Sequence, residues 1–265
     1  MGLKELMTPE CEEWVKERYL EKYSNFEMFL EKYLTLESFP PHGNIWESNQ
    51  MIDNAEHYIM RLTTQFYLTK AFEAMLVDMS DENVKEDPNT GNIGTPGRIA
   101  KMWCSSSPMD NTEMLSGRWM KPPRMASFQR DASATQQPIW IETQIRSVCS
   151  HHFIGFHNNP YDKDSFVVVG YIPKDGVKGG LSKISRYVRD YASRRAWLQE
   201  DLCDYIGKQI KDKFESDDVY VLMSKINHGC TWTRGANDQD AGTTTCFKSG
   251  RFLTEQSLIP EKYRG

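Results

Sequence analysis

In the first part of the chain, apolar residues return every third or fourth position. Val15, Tyr19, Tyr23, Phe26, Leu30 and Tyr33 recur among Glu and Lys, which predicts one helix over residues 8–36, ahead of Pro40 and Pro41. A second stripe, Ile59, Leu62 and Phe66, continues after a slip through Leu68, Phe72, Met75 and Met79 and predicts a helix over residues 53–79, capped by Asp53 or Asn54. Such stripes are packing surfaces, which every globular helix needs. Turn formers concentrate in Asp87-Pro88-Asn89-Thr90-Gly91 and mark residues 80–94 as a loop. Thr95 as cap with Pro96 at the first helical position then predicts a short helix through Met102. Residues 104–137, with Ser105-Ser106-Ser107-Pro108 and Lys121-Pro122-Pro123-Arg124, show little periodicity and read as an irregular connection.

From Pro138 the period drops to two. Ile139, Ile141, Thr143 and Ile145 alternate with Trp140, Glu142, Gln144 and Arg146, predicting a strand that delivers Cys149 at its end. Asn158 to Asp162 reads as a turn and Ser165 to Pro173 as a second strand, antiparallel to the first. A helix begins at Leu181. Another runs from Ala196 to Phe214 with Leu198, Leu202, Ile206 and Ile210 at four-residue steps, and Val219–Ile226 and Thr243–Phe252 read as further strands. The order predicts an α+β domain: a four-stranded antiparallel sheet (ββααββ) with its helices on one face. Residues 1–94 form an N-terminal helical region, and residues 95–265 form the domain that holds the chemistry.

Composition narrows the function. At 265 residues there is room for a full core, and a net charge of −5 argues against a general nucleic-acid binder, so any anion site must be built locally. No apolar run approaches the roughly 18 residues of a membrane span, and the start lacks an apolar leader, so no membrane partner is expected. The six cysteines are sparse and unevenly spaced, as in a reducing cytoplasm.

Two segments carry candidate chemistry. Ser147-Val148-Cys149-Ser150-His151-His152-Phe153 sets a thiol three residues before an imidazole, so a tight turn can bring Cys149 and His152 to one metal. Two ligands do not hold zinc, and Cys230, in Asn227-His228-Gly229-Cys230, is the obvious third. Each segment pairs its Cys with a spare histidine, His151 and His228, as a site needs that both activates a water and moves protons. A lone Cys beside a His is more often a small buried hydrophobe, and Cys11, Cys104 and Cys203 read as ordinary thiols, with Cys246 a strand residue. No Cys-x-x-Cys supplies a closed structural site, so an open, three-ligand site fits better. Gly179-Gly180 ahead of Leu181-Ser182-Lys183-Ile184-Ser185-Arg186 also suits an anion: glycines just ahead of a helix let free backbone N–H groups face it, and Ser182, Lys183 and Arg186 add a hydroxyl and two cations on or next to the first turn. Arg98 and Arg234 are further candidate cations for a polyphosphate, although basic residues at helix starts are often merely solvated.

Six separated motifs carry a resemblance: Thr95-Pro96-Gly97-Arg98-Ile99-Ala100-Lys101-Met102, Cys149-Ser150-His151-His152, Tyr171-Ile172-Pro173-Lys174-Asp175, Leu181-Ser182-Lys183-Ile184-Ser185-Arg186, Gln199-Glu200, and His228-Gly229-Cys230 through Arg234-Gly235. In order and spacing they resemble GTP cyclohydrolase I over residues 53–252. The resemblance implies a tunnelling fold whose sheets join into a cyclic oligomer, a decamer of two pentamers with active sites between subunits. It implies zinc on Cys149, His152 and Cys230, and guanine read by Glu200 with Gln199 beside it. Ser182, Lys183, Arg186, Arg234 and a neighbouring subunit's copy of Arg98 would bind ribose and triphosphate, and His151 and His228 would transfer protons. The reaction implied is hydrolytic opening of the GTP imidazole ring at C8, loss of formate and ring closure to 7,8-dihydroneopterin triphosphate.

Three features depart from the family pattern. Ser150 stands where an acidic residue is usual, the turn from His157 to Asp164 is long, and residues 1–52 match no motif. The downstream pathway stays open among folate, biopterin and deazaguanine synthesis. A relative acting on another purine nucleotide is an alternative, as is the nitrile reductase of queuosine synthesis, which would use a nucleophilic Cys with NADPH. The complete set Cys149, His152 and Cys230 speaks against the reductase. A non-catalytic scaffold would be expected to lose a ligand or a proton-transfer histidine, and both remain.

Overall fold

The computed structural model describes residues 3–35, 54–76, 94–104, 114–119, 123, 125–129, 137–233 and 238–264. These divide into two compact units, residues 1–119 and 120–265, and the helix that opens at Gly94 belongs to the first.

The first unit is helical: α1 (Leu3–Leu6), α2 (Pro9–Leu20), α3 (Phe26–Leu34), α4 (Asn54–Met75), α5 (Gly94–Trp103) and α6 (Ser116–Trp119). Helix α2 starts where Thr8 accepts from the Cys11 amide at 3.3 Å, with Pro9 in the first turn. The single helix expected over residues 8–36 is two. Asn25 takes a left-handed backbone, φ 63°, and breaks the run; Asn tolerates that conformation better than most residues. The break lets Val15 and Tyr19 on α2 and Phe26, Leu30 and Tyr33 on α3 enter one core with Ile59, Leu62 and Phe66 of α4. Helix α5 begins one residue before Thr95, whose hydroxyl accepts from Arg98 at 3.2 Å inside the first turn instead of capping it. The end expected for the second helix at Met79, the loop at residues 80–93 and the segment Ser105–Pro108 lie outside the described residues.

The second unit is built on a sheet of β2 (Ile139–Thr143), β3 (Arg146–Cys149), β4 (Gly155–Asn158), β5 (Phe166–Tyr171), β7 (Ala196–Trp197), β8 (Val219–His228) and β9 (Gly242–Lys248). β2, β5, β8 and β9 pair antiparallel, from Ile139 opposite Tyr171 to Tyr220 opposite Lys248. The sheet is larger than the four strands expected and is mixed. The segment expected as one strand to Cys149 breaks after Thr143: β2 pairs with β5, whereas β3 pairs with β4 and, in parallel, with β7. Ala196 and Trp197 are therefore strand, and helix α8 (Gln199–Phe214) starts three residues later than its apolar period suggested. A separate two-stranded sheet joins β1 (Ser127–Gln129), within the stretch read as irregular, to β6 (Val177–Gly179).

Both faces of the sheet are covered. Val167, Val169, Tyr171, Val219, Val221 and Met223 meet Ile184 of α7 (Leu181–Arg186), Tyr187 and Tyr191 of the π-helical turn Tyr187–Ala192, and Leu202, Ile206, Ile210 and Phe214 of α8. Each of those four α8 side chains is fully buried and contributes about 1.5–3 kcal/mol of transfer free energy. The opposite face, with Phe166, Val168, Tyr220 and Leu222, lies under Phe252, Leu258, Ile259 and Tyr263 of the C-terminal segment. That segment is fastened by Tyr220 donating to the Tyr263 carbonyl at 2.5 Å and by Lys262 on Glu142 at 2.6 Å. Among the described residues no helix is long and apolar enough to cross a membrane.

Candidate functional site

β3 ends at Cys149, and the chain turns through Ser150, His151, His152 and Phe153 into β4. Two backbone bonds close that turn: Cys149 N donates to the Ile154 carbonyl and Phe153 N to the Cys149 carbonyl, each at 2.8 Å. Phe153 adopts φ 57°, a costly conformation for an aromatic residue, and is exposed. β4 pairs with β8, Phe156 opposite His228, so this turn stands beside the end of β8. There Gly229 N donates to the Gly155 carbonyl at 2.9 Å, and a methyl group on Gly229 would meet the Ile154 side chain at 2.3 Å. A glycine is what lets the two segments approach. Cys230 follows at once, at the start of α9 (Cys230–Thr233).

Topology thus gathers Cys149, His151, His152, His228 and Cys230 at one end of the sheet. Cys149 is buried, Cys230 half-buried, and His151 and His152 are exposed with their rings 5.7 Å apart. All six cysteines are free thiols. Among the described residues, no three His, Cys, Asp or Glu side chains are gathered closely enough to hold a metal ion. The donor types nevertheless suit zinc: two thiols and one imidazole are a common catalytic set that leaves a position open.

His228 is held from two sides. Its ring stacks on Phe156, centroids 4.7 Å apart and planes within 7°. Its Nε2 lies 2.7 Å from Oε1 of Gln199, the first residue of α8. Burial holds this imidazole below its ordinary pKa, and the nearby Glu200 carboxylate opposes that shift. The ring borders a cavity of about 460 Å³ lined by Ile154, Gly155, His157, Asn227, Gly229 and Trp232 among others.

Gln199 and Glu200 diverge. Successive helical residues point about 100° apart, and Gln199 is 1% exposed while Glu200 faces outward in the single chain. The amide of Gln199 donates to the Thr243 carbonyl and the Thr245 hydroxyl, both at 3.0 Å. Thr243, Thr245 and Phe156 were missed in the sequence. Thr243 and Thr245 share one face of β9 by the period of two, a signal that was available.

The amides of Gly179 and Gly180 themselves are not free for an anion. Gly179 N donates to the Tyr171 hydroxyl at 2.7 Å and Gly180 N to the Ala126 carbonyl at 3.1 Å, so both glycine amides are engaged within the fold. Of the side chains beside them, Ser182 and Arg186 are exposed on α7, and Lys183 is half-buried. Arg98 is exposed on α5 in the first unit. Arg234 lies outside the described residues.

Comparison with known proteins adds the family. The GTP cyclohydrolase I family model matches residues 55–264. A protein named GTP cyclohydrolase 1 from Klebsiella pneumoniae subsp. pneumoniae is 30% identical over 216 residues, 81% of this chain and 85% of its own. Its namesake from Pectobacterium carotovorum subsp. carotovorum is 29% identical over 199 residues, 75% and 79% of the two chains. That of Actinobacillus pleuropneumoniae serotype 5b is 28% identical over 202 residues, 76% and 81%. Among solved structures, the apo archaeosine synthase QueF-Like covers 44% of this chain and 96% of its own at 17% identity, with a TM-score of 0.29, too low to carry an argument.

Proposed function

The chain belongs to the GTP cyclohydrolase I family, and on that premise we propose that it is a zinc-dependent enzyme that hydrolyses and rearranges GTP to 7,8-dihydroneopterin triphosphate with release of formate. The observation that carries the reading is the joint between the two motif segments. The Gly229–Gly155 bond and the Phe156–His228 pairing bring the Cys149 turn beside His228 and Cys230, and Gln199, the residue preceding Glu200, ties His228 to the start of α8.

In this reading Cys149, His152 and Cys230 hold zinc, which when bound supplies a Lewis acid and an activated water. Glu200, outward at the start of α8, accepts hydrogen bonds from the ring N–H and exocyclic amine of guanine, a pairing adenine cannot make. His228, whose charged form burial disfavours, takes up and returns a proton as the imidazole ring of the base opens. His151, exposed in the Cys149 turn, is its partner in proton transfer. Ser182, Lys183 and Arg186 bind ribose and triphosphate together with Arg234 and an Arg98 from a neighbouring subunit, as active sites shared between the subunits of a decamer would require. The free thiols match a reducing cytoplasm.

The test is zinc content measured together with formate release from GTP. About one zinc per chain and formate release are expected, and Cys230→Ser should lose both while the oligomer persists. Full zinc retention in that variant overturns the ligand assignment. Absence of formate release by zinc-loaded wild-type protein overturns the reaction.

A further inference from the structure

We propose that Gln199 is a positioning residue that acts through His228: it holds the imidazole as the Nε2–H tautomer, so that Nδ1 is the atom through which this histidine accepts and returns a proton. The inference rests on the proton-transfer role assigned to His228 above.

The tautomer follows from the Thr243 carbonyl. A carbonyl oxygen only accepts, so the Gln199 atom 3.0 Å from it is the amide nitrogen, which the Thr245 hydroxyl at 3.0 Å also receives. The flipped amide would set two acceptors against each other. The carboxamide oxygen therefore faces His228 Nε2 at 2.7 Å, and because that oxygen donates nothing, the ring nitrogen must carry the hydrogen. In a neutral ring Nδ1 is left as the acceptor. Phe156 completes the constraint: its stack at 4.7 Å sets the plane of the imidazole, and the Gln199 bond sets its rotation within that plane.

The clamp is tied to the strand that carries the histidine. Thr243 and Thr245 sit opposite Ile226 and Met223 of β8, so Gln199 bridges α8 to both strands. At 1% exposure, with the amide nitrogen holding two partners and the oxygen a third, Gln199 is not placed to contact guanine. Reading the base falls to Glu200, and Gln199 acts behind it.

The experiment is a double-mutant cycle on zinc-loaded, full-length protein, reading kcat and KM for formate release from GTP. Gln199→Met keeps length and removes every hydrogen bond; Thr245→Val removes one anchor and keeps Gln199, which guards against a misfolded Gln199→Met. Expected is a fall in kcat of about 10- to 100-fold for Gln199→Met, the usual scale for a partner that orients an active-site imidazole, and a smaller fall for Thr245→Val. KM and zinc content should stay within about twofold, and in a His228→Ala background neither change should have further effect. A raised KM at unchanged kcat would make Gln199 a substrate contact, and losses that multiply with His228→Ala would show that it acts independently; either result overturns the proposal. If His228→Ala alone leaves kcat unchanged, the proton-transfer reading fails instead.

Discussion

Gly179→Ala tests whether the glycine pair ahead of α7 serves packing or an anion. A methyl group at Gly179 would stand 2.5 Å from Cζ of Phe214, 2.8 Å from its Cε1 and 2.9 Å from Cδ1 of Ile184. Carbon atoms pack at about 3.5–4.0 Å, so the Phe214 ring must retreat by about 1 Å. It has little room: Phe214 and Ile184 are fully buried, and the ring stacks on Tyr171 at 5.3 Å. The Tyr171 hydroxyl in turn receives the Gly179 amide. Overpacking of this kind costs about 1–3 kcal/mol, and alanine recovers part of that by restricting the unfolded chain. A net loss of about 1–2 kcal/mol lowers Tm by about 2–8 °C in a chain of this size. At Gly180 the added methyl would meet Lys183 Cγ at 3.4 Å and the Ala126 carbonyl oxygen at 3.8 Å, both ordinary contacts, and φ is −65°, so Gly180→Ala should stay within about 0.5 kcal/mol. Calorimetry on full-length protein measures all variants, with Phe214→Leu added to Gly179→Ala to recover part of the loss. Equal Tm values for Gly179→Ala and wild type would refute the packing argument. Weakened GTP binding by a stably folded Gly180→Ala would return the glycines to the anion site.

Three further outcomes are expected. Glu200→Gln should lose about 2–4 kcal/mol of transition-state stabilisation, a fall of roughly 30- to 1,000-fold in kcat/KM for GTP, because an amide cannot accept from both guanine donors; an unchanged kcat/KM counts against that role. Asn25→Val should destabilise the protein by about 1–2 kcal/mol, since a β-branched residue resists φ 63°, whereas Asn25→Gly should be near neutral; thermal unfolding of both variants decides. Burial pushes the Cys11 and Cys203 thiols up to about 12. At pH 8 each then holds about 10⁻⁴ thiolate, so both should escape iodoacetamide in native protein and react after denaturation, and mass spectrometry that finds either labelled in the native state contradicts that burial.

Local periodicity determined much of this molecule. The four-residue steps from Leu202 to Ile210 require one face of a helix to be buried, and that face is the one packed on the sheet. The alternation from Ile139 to Thr143 likewise requires a strand, and the Cys149 and Cys230 segments stood out as candidates through residue type and spacing alone. What tertiary structure decided lies where a partner distant in sequence outweighs a local preference. Ala196 and Trp197 stand directly before the apolar period of α8 and read as its first turn, yet they pair with Val148 and Cys149, 48 residues earlier, and become strand. Gly179 reads as an anion-binding glycine until Phe214 occupies the space where its side chain would stand. Gln199 and Glu200 read as one recognition pair. Only β9, 44 residues away, supplies the carbonyl that draws Gln199 inward to His228, while the 100° helical step leaves Glu200 outside; the two side chains part because hydrogen-bond partners for a buried amide are set by the fold and not by neighbouring letters.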